Sequence, residues 1–225
     1  MEDKRNDQAS VPEPTDLTGG RGDRPTILEL PGIILASGSP RRAEILKTVN
    51  WPFEVESPDI DEVRYANEDA VTYVRRLALA KAQAVAQRVT GSLIVAADTT
   101  VVIGEQILEK PSDQDDARRM LLQLSAQWHQ VITGVALVDT INSESRVDCE
   151  TTEVKFARMS PDEIDWYVSS GEPMDKAGAY AIQGLGARFV EEIRGDFFNV
   201  MGLPVRLLYE MVRSWRNGAP ASLPA

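Results

Sequence analysis

The chain has 225 residues, 43% of them hydrophobic and 26% charged, a make-up that suits one large globular domain or two small lobes with ample capacity for a core. Its 35 acidic residues outnumber 24 basic ones, giving a net charge of −11; no basic surplus is present to displace counterions, which argues against nucleic acid as a bulk partner. Cys149 is the only cysteine, so neither an intrachain disulfide nor a cysteine-based zinc site can form.

Taken in chain order, residues 1–24 are rich in Asp, Glu, Gly, Pro and Thr. A disordered tail is therefore expected to run to residue 30, a folded body over 31–216, and a flexible end over 217–225. With no long apolar span and no charged-then-apolar leader, a cytoplasmic location without a membrane partner is expected. Ile33-Ile34 reads as a buried strand, followed by Leu35-Ala36-Ser37-Gly38-Ser39-Pro40-Arg41-Arg42. Ser39 is a good N-cap and Pro40 fits the first helical position. Free N–H groups at such a start attract anions, phosphates above all. Arg41 and Arg42 fall in the turn where the helix dipole disfavours cations, so they are either solvated surface residues or partners of an anion.

Phe53 to Ser57 alternates like a half-buried strand. Asn67 can cap a helix running to Val89, with Gly91 just beyond. On it Val74, Leu77, Ala78 and Val85 form an apolar face, and Lys81 falls on that face. Such a lysine either snorkels from the edge of the stripe or reaches into a cleft that holds phosphate. Leu93 to Ala97 is a continuous apolar run, short enough for a central strand. Asp98 follows it directly, where α/β sheets present their ligand crevice. The alternative is an Asp that opens a turn, but strand-forming residues follow rather than Gly or Pro.

Val101 to Ile103 and Ile107-Leu108 suggest a hairpin. Lys110, in Leu108-Glu109-Lys110-Pro111, taken alone is a loop residue. Ser112 with Asp115 opens a helix through Leu124, and Val131 to Val138 and Val147 to Phe156 read as strands. Ser160-Pro161-Asp162-Glu163 is a capping box. The stretch Asp175 to Gly186 has glycines at 178, 184 and 186 but no Walker or dinucleotide fingerprint. His129, the single histidine, sits beside Trp128 and reads as structural. The pattern is α/β with a mixed, twisted sheet flanked by helices, and the chemistry is left to carboxylates, lysines, arginines and a metal.

Four spaced motifs together, Leu35 to Arg42, Ala97-Asp98-Thr99, Glu109-Lys110-Pro111 and Lys176-Ala177-Gly178-Ala179-Tyr180, resemble the Maf family of nucleoside triphosphate pyrophosphatases over Ile33 to Leu208. Gln183 to Gly186 with Gly195-Asp196-Phe197 and Asn199 to Pro204 resembles the branch acting on dTTP and UTP. The resemblance implies a fold similar to that of inosine triphosphate pyrophosphatases, with two lobes around a central cleft. It implies a nucleoside triphosphate substrate, hydrolysed to monophosphate and pyrophosphate with Mg²⁺ or Mn²⁺, in a nucleotide-sanitising role. By the same resemblance Asp98 is the general base, Ser37, Ser39, Arg41, Lys81 and Lys110 bind phosphate, and Glu62 with Asp98 holds the metal. Arg41, Thr99 and Gln183 set substrate preference. The resemblance leaves a homodimer open, and also a nucleotide-binding regulator of cell division or septum formation. A nucleotidyltransferase is a further rival, disfavoured by the lack of a paired-aspartate metal motif.

Overall fold

Two long strands carry most of the architecture of the computed structural model, which describes residues 30–216. The expectations for residues 1–29 and 217–225 lie outside the described residues. Strand β1 is Ile33–Leu35, followed by α1 (Pro40–Thr48), β2 (Phe53–Val55) and α2 (Ala70–Ala86). The hairpin partners β3 (Leu93–Ile103) and β4 (Gln106–Leu108) lead to α3 (Gln114–Leu124), β5 (Trp128–Asp139) and β6 (Glu144–Phe156). Helix α4 (Pro161–Ser169), three single 3₁₀ turns, β7 (Val190–Arg194), α5 (Phe197–Met201) and α6 (Val205–Arg216) complete the chain. The seven strands form one mixed sheet in the order β2-β1-β3-β5-β6-β7, with β4 also on β3.

Register explains where a cleft can open. β5 pairs with β3 from Leu93 to Val102 along one edge. On the other edge, β1 pairs in parallel with Leu93 to Val95, and β4 pairs antiparallel with Val101 to Ile103. Among the described residues no strand covers that edge between these two, the stretch that holds Asp98, Thr99 and Thr100.

The pleat then divides side chains between faces, since alternate residues point opposite ways. Val95, Ala97, Val135 and Leu137 join α1 and α6 in one core. Ile94, Ala96, Ala136 and Val138 pack on α2 through Ala78, Ala82 and Val85. Further along the strands, Val101, Val131, Val154 and Phe156 meet α3 and α4 in a separate core. The sheet is thus continuous while its packing is divided into two lobes, and Asp98 lies at the division. Gly134 pairs with Asp98, and a Cβ there would stand 2.5 Å from the Val74 carbonyl oxygen; only glycine lets α2 cross so close.

Several expectations change. The strand expected to end at Ala97 continues to Ile103, because β5 supplies it with ladder partners throughout, so Asp98 sits within a strand rather than after one. Helix α2 is capped by Asp69, whose side chain accepts from the Thr72 N–H, while Asn67 adopts φ 61° in the preceding turn. It ends at Ala86 rather than Val89. Asp113, not Ser112, caps α3 through the Asp116 N–H. The capping box at Ser160 forms with Glu163 as expected. Elements β7, α5 and α6 had no reading in sequence, although Leu207, Leu208, Met211 and Val212 of α6 are buried at helical spacing.

Candidate active site

All nine residues singled out in sequence, Ser37, Ser39, Arg41, Glu62, Lys81, Asp98, Thr99, Lys110 and Gln183, line a single cleft of about 620 Å³. Five cationic and four acidic side chains line it, so the cleft is basic relative to a strongly acidic chain.

At one end is the start of α1. Ser39 occupies the N-cap position with Pro40 at N1, but its hydroxyl makes no capping bond. Its N–H instead donates to Ser37 Oγ at 3.1 Å. With no acidic residue in the first turn, the helix start keeps its partial positive charge for a ligand. Arg41 reaches across the cleft to Asp175, Nη1 to Oδ2 3.2 Å, and Asp175 also pairs with Lys176.

Arg42 turns inward. Its guanidinium donates to the Gly202 carbonyl at 2.7 Å, to Ser37 Oγ at 3.2 Å and to Thr99 Oγ1 at 3.2 Å. Burial lowers its pKa, with Asp98 opposing. Thr99 Oγ1 also meets Thr133 Oγ1 at 3.0 Å, and Thr133 donates to the Asn199 carbonyl. The Thr99 hydroxyl is therefore engaged by protein groups on the α1 face of β3.

Asp98 points to the opposite face, where α2 lies. Lys81 Nζ stands 2.6 Å from Asp98 Oδ1 and 2.8 Å from Glu62 Oε1. Lys81 and Asp98 are only 5% and 6% exposed. Burial raises the Asp98 pKa more than Lys81 and Arg42 lower it. For Glu62 burial also acts upward, but the Lys81 and Lys110 charges prevail and its pKa falls. Lys110 lies 3.7 Å from Glu62 and is largely exposed. Gln183 is exposed on the cleft wall.

Sequence reasoning offered Arg42 only as an anion partner beside Arg41 and gave no site role to Tyr73, Glu109, Asp175, Lys176 or Tyr180, all of which also line the cleft. Tyr73 hydrogen-bonds Glu109, 2.8 Å; it lies eight residues before Lys81, so the helical spacing that found the lysine could have found it too. His129 is buried, its Nε2 2.9 Å from Tyr180 Oη, in keeping with a structural role.

For a divalent cation the donors at hand are the Glu62 and Asp98 carboxylates. Among the described residues no group of three His, Cys, Asp or Glu side chains is placed to hold a metal. Magnesium is commonly held by one or two carboxylates with substrate phosphates and waters completing the octahedron. Two hard oxygen donors joined through Lys81 fit a cation that arrives with a polyphosphate.

Fold and cleft together are those of an α/β protein with a cation-rich cleft set between two packed lobes. The chain belongs to the Maf family: the family model described as Maf-like protein matches residues 32–215. A dTTP/UTP pyrophosphatase of Koribacter versatilis is 49% identical over 182 residues, covering 81% of this chain and 93% of its own. The dTTP/UTP pyrophosphatase of Symbiobacterium thermophilum is 48% identical over 80% of this chain and 92% of its own. That of Halalkalibacterium halodurans is 50% identical over 77% and 90%. Among solved structures, the Staphylococcus aureus Ham1 protein is similar at a TM-score of 0.44 and 14% identity, over 82% of this chain and 99% of that one. No helix among the described residues is long and apolar enough to cross a membrane.

Proposed function

We propose that this protein hydrolyses dTTP and UTP to the nucleoside monophosphate and pyrophosphate. The observation that carries this reading is the buried Asp98 carboxylate at the uncovered edge of β3, 2.6 Å from Lys81, in a cleft whose cations include Arg41 and Lys110. The names of the relatives give the nucleotides.

The triphosphate lies across the cleft, with its anionic oxygens toward the α1 N-terminus, Ser37, Ser39, Arg41, Lys81 and Lys110. Lys81 takes one oxygen of Asp98, and the other accepts the proton of a water aimed at the α-phosphorus. The new bond joins that water oxygen to the α-phosphorus, and the bond broken is from the α-phosphorus to the bridging oxygen, which departs with pyrophosphate. A raised pKa makes Asp98 a stronger base than a solvated aspartate. The cations are preorganised where negative charge grows on the leaving group. When bound through Glu62 and Asp98, Mg²⁺ or Mn²⁺ supplies further charge neutralisation at the phosphates. The Gln183 amide carries both donor and acceptor groups, matching the N3–H and carbonyls of uracil and thymine. Thr99 acts on preference through Arg42, which its hydroxyl helps to hold.

A cytoplasmic location suits this substrate and the single cysteine. The nucleotide-binding regulator gains no support from relatives named for pyrophosphatase activity. The deciding experiment measures pyrophosphate release from all standard and several modified triphosphates, each with Mg²⁺, Mn²⁺ or chelator. Preference for dTTP and UTP over CTP and purines is expected; a preference for GTP or ITP would overturn the substrate assignment, and no release from any would overturn the activity.

A further inference from the structure

The segment that presents Gln183 has little secondary structure of its own, yet three of its backbone N–H groups are held by only two side chains. Glu172 receives the Leu185 N–H on Oε2 at 2.9 Å and the Gly186 N–H on Oε1 at 3.1 Å. The Tyr167 hydroxyl donates to the same Glu172 Oε1 at 2.8 Å and accepts the Ala181 N–H at 3.1 Å. Residues 181, 185 and 186 are thereby pinned on both sides of Gln183. Tyr167 is fully buried on α4, and Glu172 follows the left-handed turn at Gly171 (φ 76°) that ends that helix. The clamp therefore stands on α4 and the turn that follows it rather than on the segment it holds.

The fit is close enough to dictate sequence. A Cβ at position 184 would collide with the Glu172 carboxylate, and one at 186 would stand 2.6 Å from the Tyr167 hydroxyl oxygen. Glycine at both positions lets the backbone wrap the carboxylate directly. Burial acts to raise the Glu172 pKa, but the Leu185 and Gly186 N–H groups and the Tyr167 hydroxyl outweigh it, and the net shift is downward. The clamp is accordingly ionised at neutral pH, and charge-assisted bonds of this kind are stronger than neutral ones.

We propose that Glu172 and Tyr167 are positioning residues for base selection: together they fix the backbone on either side of Gln183, and so the direction in which its amide faces the pyrimidine. The proposal rests on the base-reading role of Gln183 proposed above. Hydrogen-bond discrimination between uracil and cytosine depends on donor and acceptor registration, because a misplaced amide leaves polar groups unpaired with either base. A loosened clamp therefore blurs the choice of base, while Arg41 on α1 and Lys81 on α2, whose side chains bond to neither Glu172 nor Tyr167, keep their places.

The test uses the full-length protein and the substitutions Tyr167→Phe, Glu172→Gln and Gln183→Ala, assayed with dTTP and CTP. Tyr167→Phe keeps the ring in its core and orphans the Ala181 N–H. Glu172→Gln puts an amide donor against one of the two N–H groups, which then lacks its acceptor. Each is expected to lower the dTTP-to-CTP ratio of kcat/KM by about tenfold or more, with kcat for dTTP held within about threefold. Adding either change to Gln183→Ala should cause no further loss of selectivity, since interacting residues are non-additive. The proposal is overturned if Gln183→Ala loses selectivity and the clamp variants keep it. It is equally overturned if dTTP and CTP hydrolysis fall in parallel with the melting temperature, the behaviour of a purely structural pair. Should Glu172→Gln fail to fold, Tyr167→Phe decides alone. If Gln183→Ala itself keeps full selectivity, the base-reading assignment falls and the clamp proposal with it.

Discussion

Lys81 Nζ and Asp98 Oδ1 lie 2.6 Å apart, both residues almost wholly buried, with Glu62 Oε1 2.8 Å from the same ammonium. One helix residue thus holds the carboxylate proposed as base together with a carboxylate proposed for metal. The arrangement gives Asp98 and Lys81 each its own test.

Asp98→Asn preserves shape and removes the proposed base. A loss of about 10²–10⁴-fold in kcat is expected, with substrate binding reduced far less because the cations remain. The raised pKa of Asp98 also sets the acid limb of the kcat/KM–pH profile. Only the deprotonated form works, and in the metal-free protein burial favours the protonated one; a divalent cation on the carboxylate opposes that shift, so the acid limb should move to lower pH as metal is raised. Retention of most turnover in the Asn variant at saturating metal would remove Asp98 from this role.

Lys81 carries stability as well as charge. As a phosphate-binding residue alone, the role the resemblance implies, its replacement would cost phosphate handling and little stability. Its burial between two carboxylates changes that expectation, since removing one partner of a buried pair costs about 3–5 kcal/mol. Lys81→Met should lower the melting temperature clearly. Combining it with Asp98→Asn should recover much of the loss, because the uncompensated charge is gone. Equal melting temperatures for wild type and Lys81→Met would show the pair to be energetically neutral.

Asp175 pairs with Arg41, one of the side chains proposed to bind phosphate. Its side chain is 67% exposed, and an exposed pair contributes about 0–1 kcal/mol. Asp175→Asn should therefore leave the melting temperature nearly unchanged. It should lower KM for the triphosphate several-fold and tighten pyrophosphate inhibition, by freeing Arg41 and Lys176. An unchanged KM would mean that substrate already displaces Asp175 at no cost.

His129 predicts an acid-sensitive fold. Burial pushes its pKa down to about 4 from 6.5. Between these values the unfolded chain binds the proton and the folded protein does not. The stability is fully present above pH 6.5 and is lost as pH falls through about 4, by up to about 3 kcal/mol. Urea titrations at pH 7 and 5 should show a larger drop for wild type than for His129→Gln. An identical drop in both would exclude the histidine as its source.

Much of the site was legible because its signals are local. Ser39-Pro40 marks a helix start through backbone geometry, and the spacing of Val74, Leu77, Ala78 and Val85 puts Lys81 on an inward face through the helical repeat. The carboxylate beside an apolar run marked Asp98. Resemblance added Glu62, Thr99 and Gln183, which spacing alone would have left as loop or strand residues.

Other features exist only through contacts between distant parts of the chain. That Asp98 lies inside β3 depends on β5, whose ladder carries the strand past the carboxylate. The uncovered edge that opens the cleft depends on β1 and β4 pairing with opposite ends of one strand. Arg41 finds Asp175 across 134 residues, and Arg42 finds the Gly202 carbonyl across 160. Residue pattern along the chain determined which side chains could do chemistry and which face each would take, because helix and strand periods are properties of neighbouring residues. Which cation meets which carboxylate, and which loop is clamped to which helix, only the tertiary structure decided, because those choices follow from how the two lobes pack on a shared sheet.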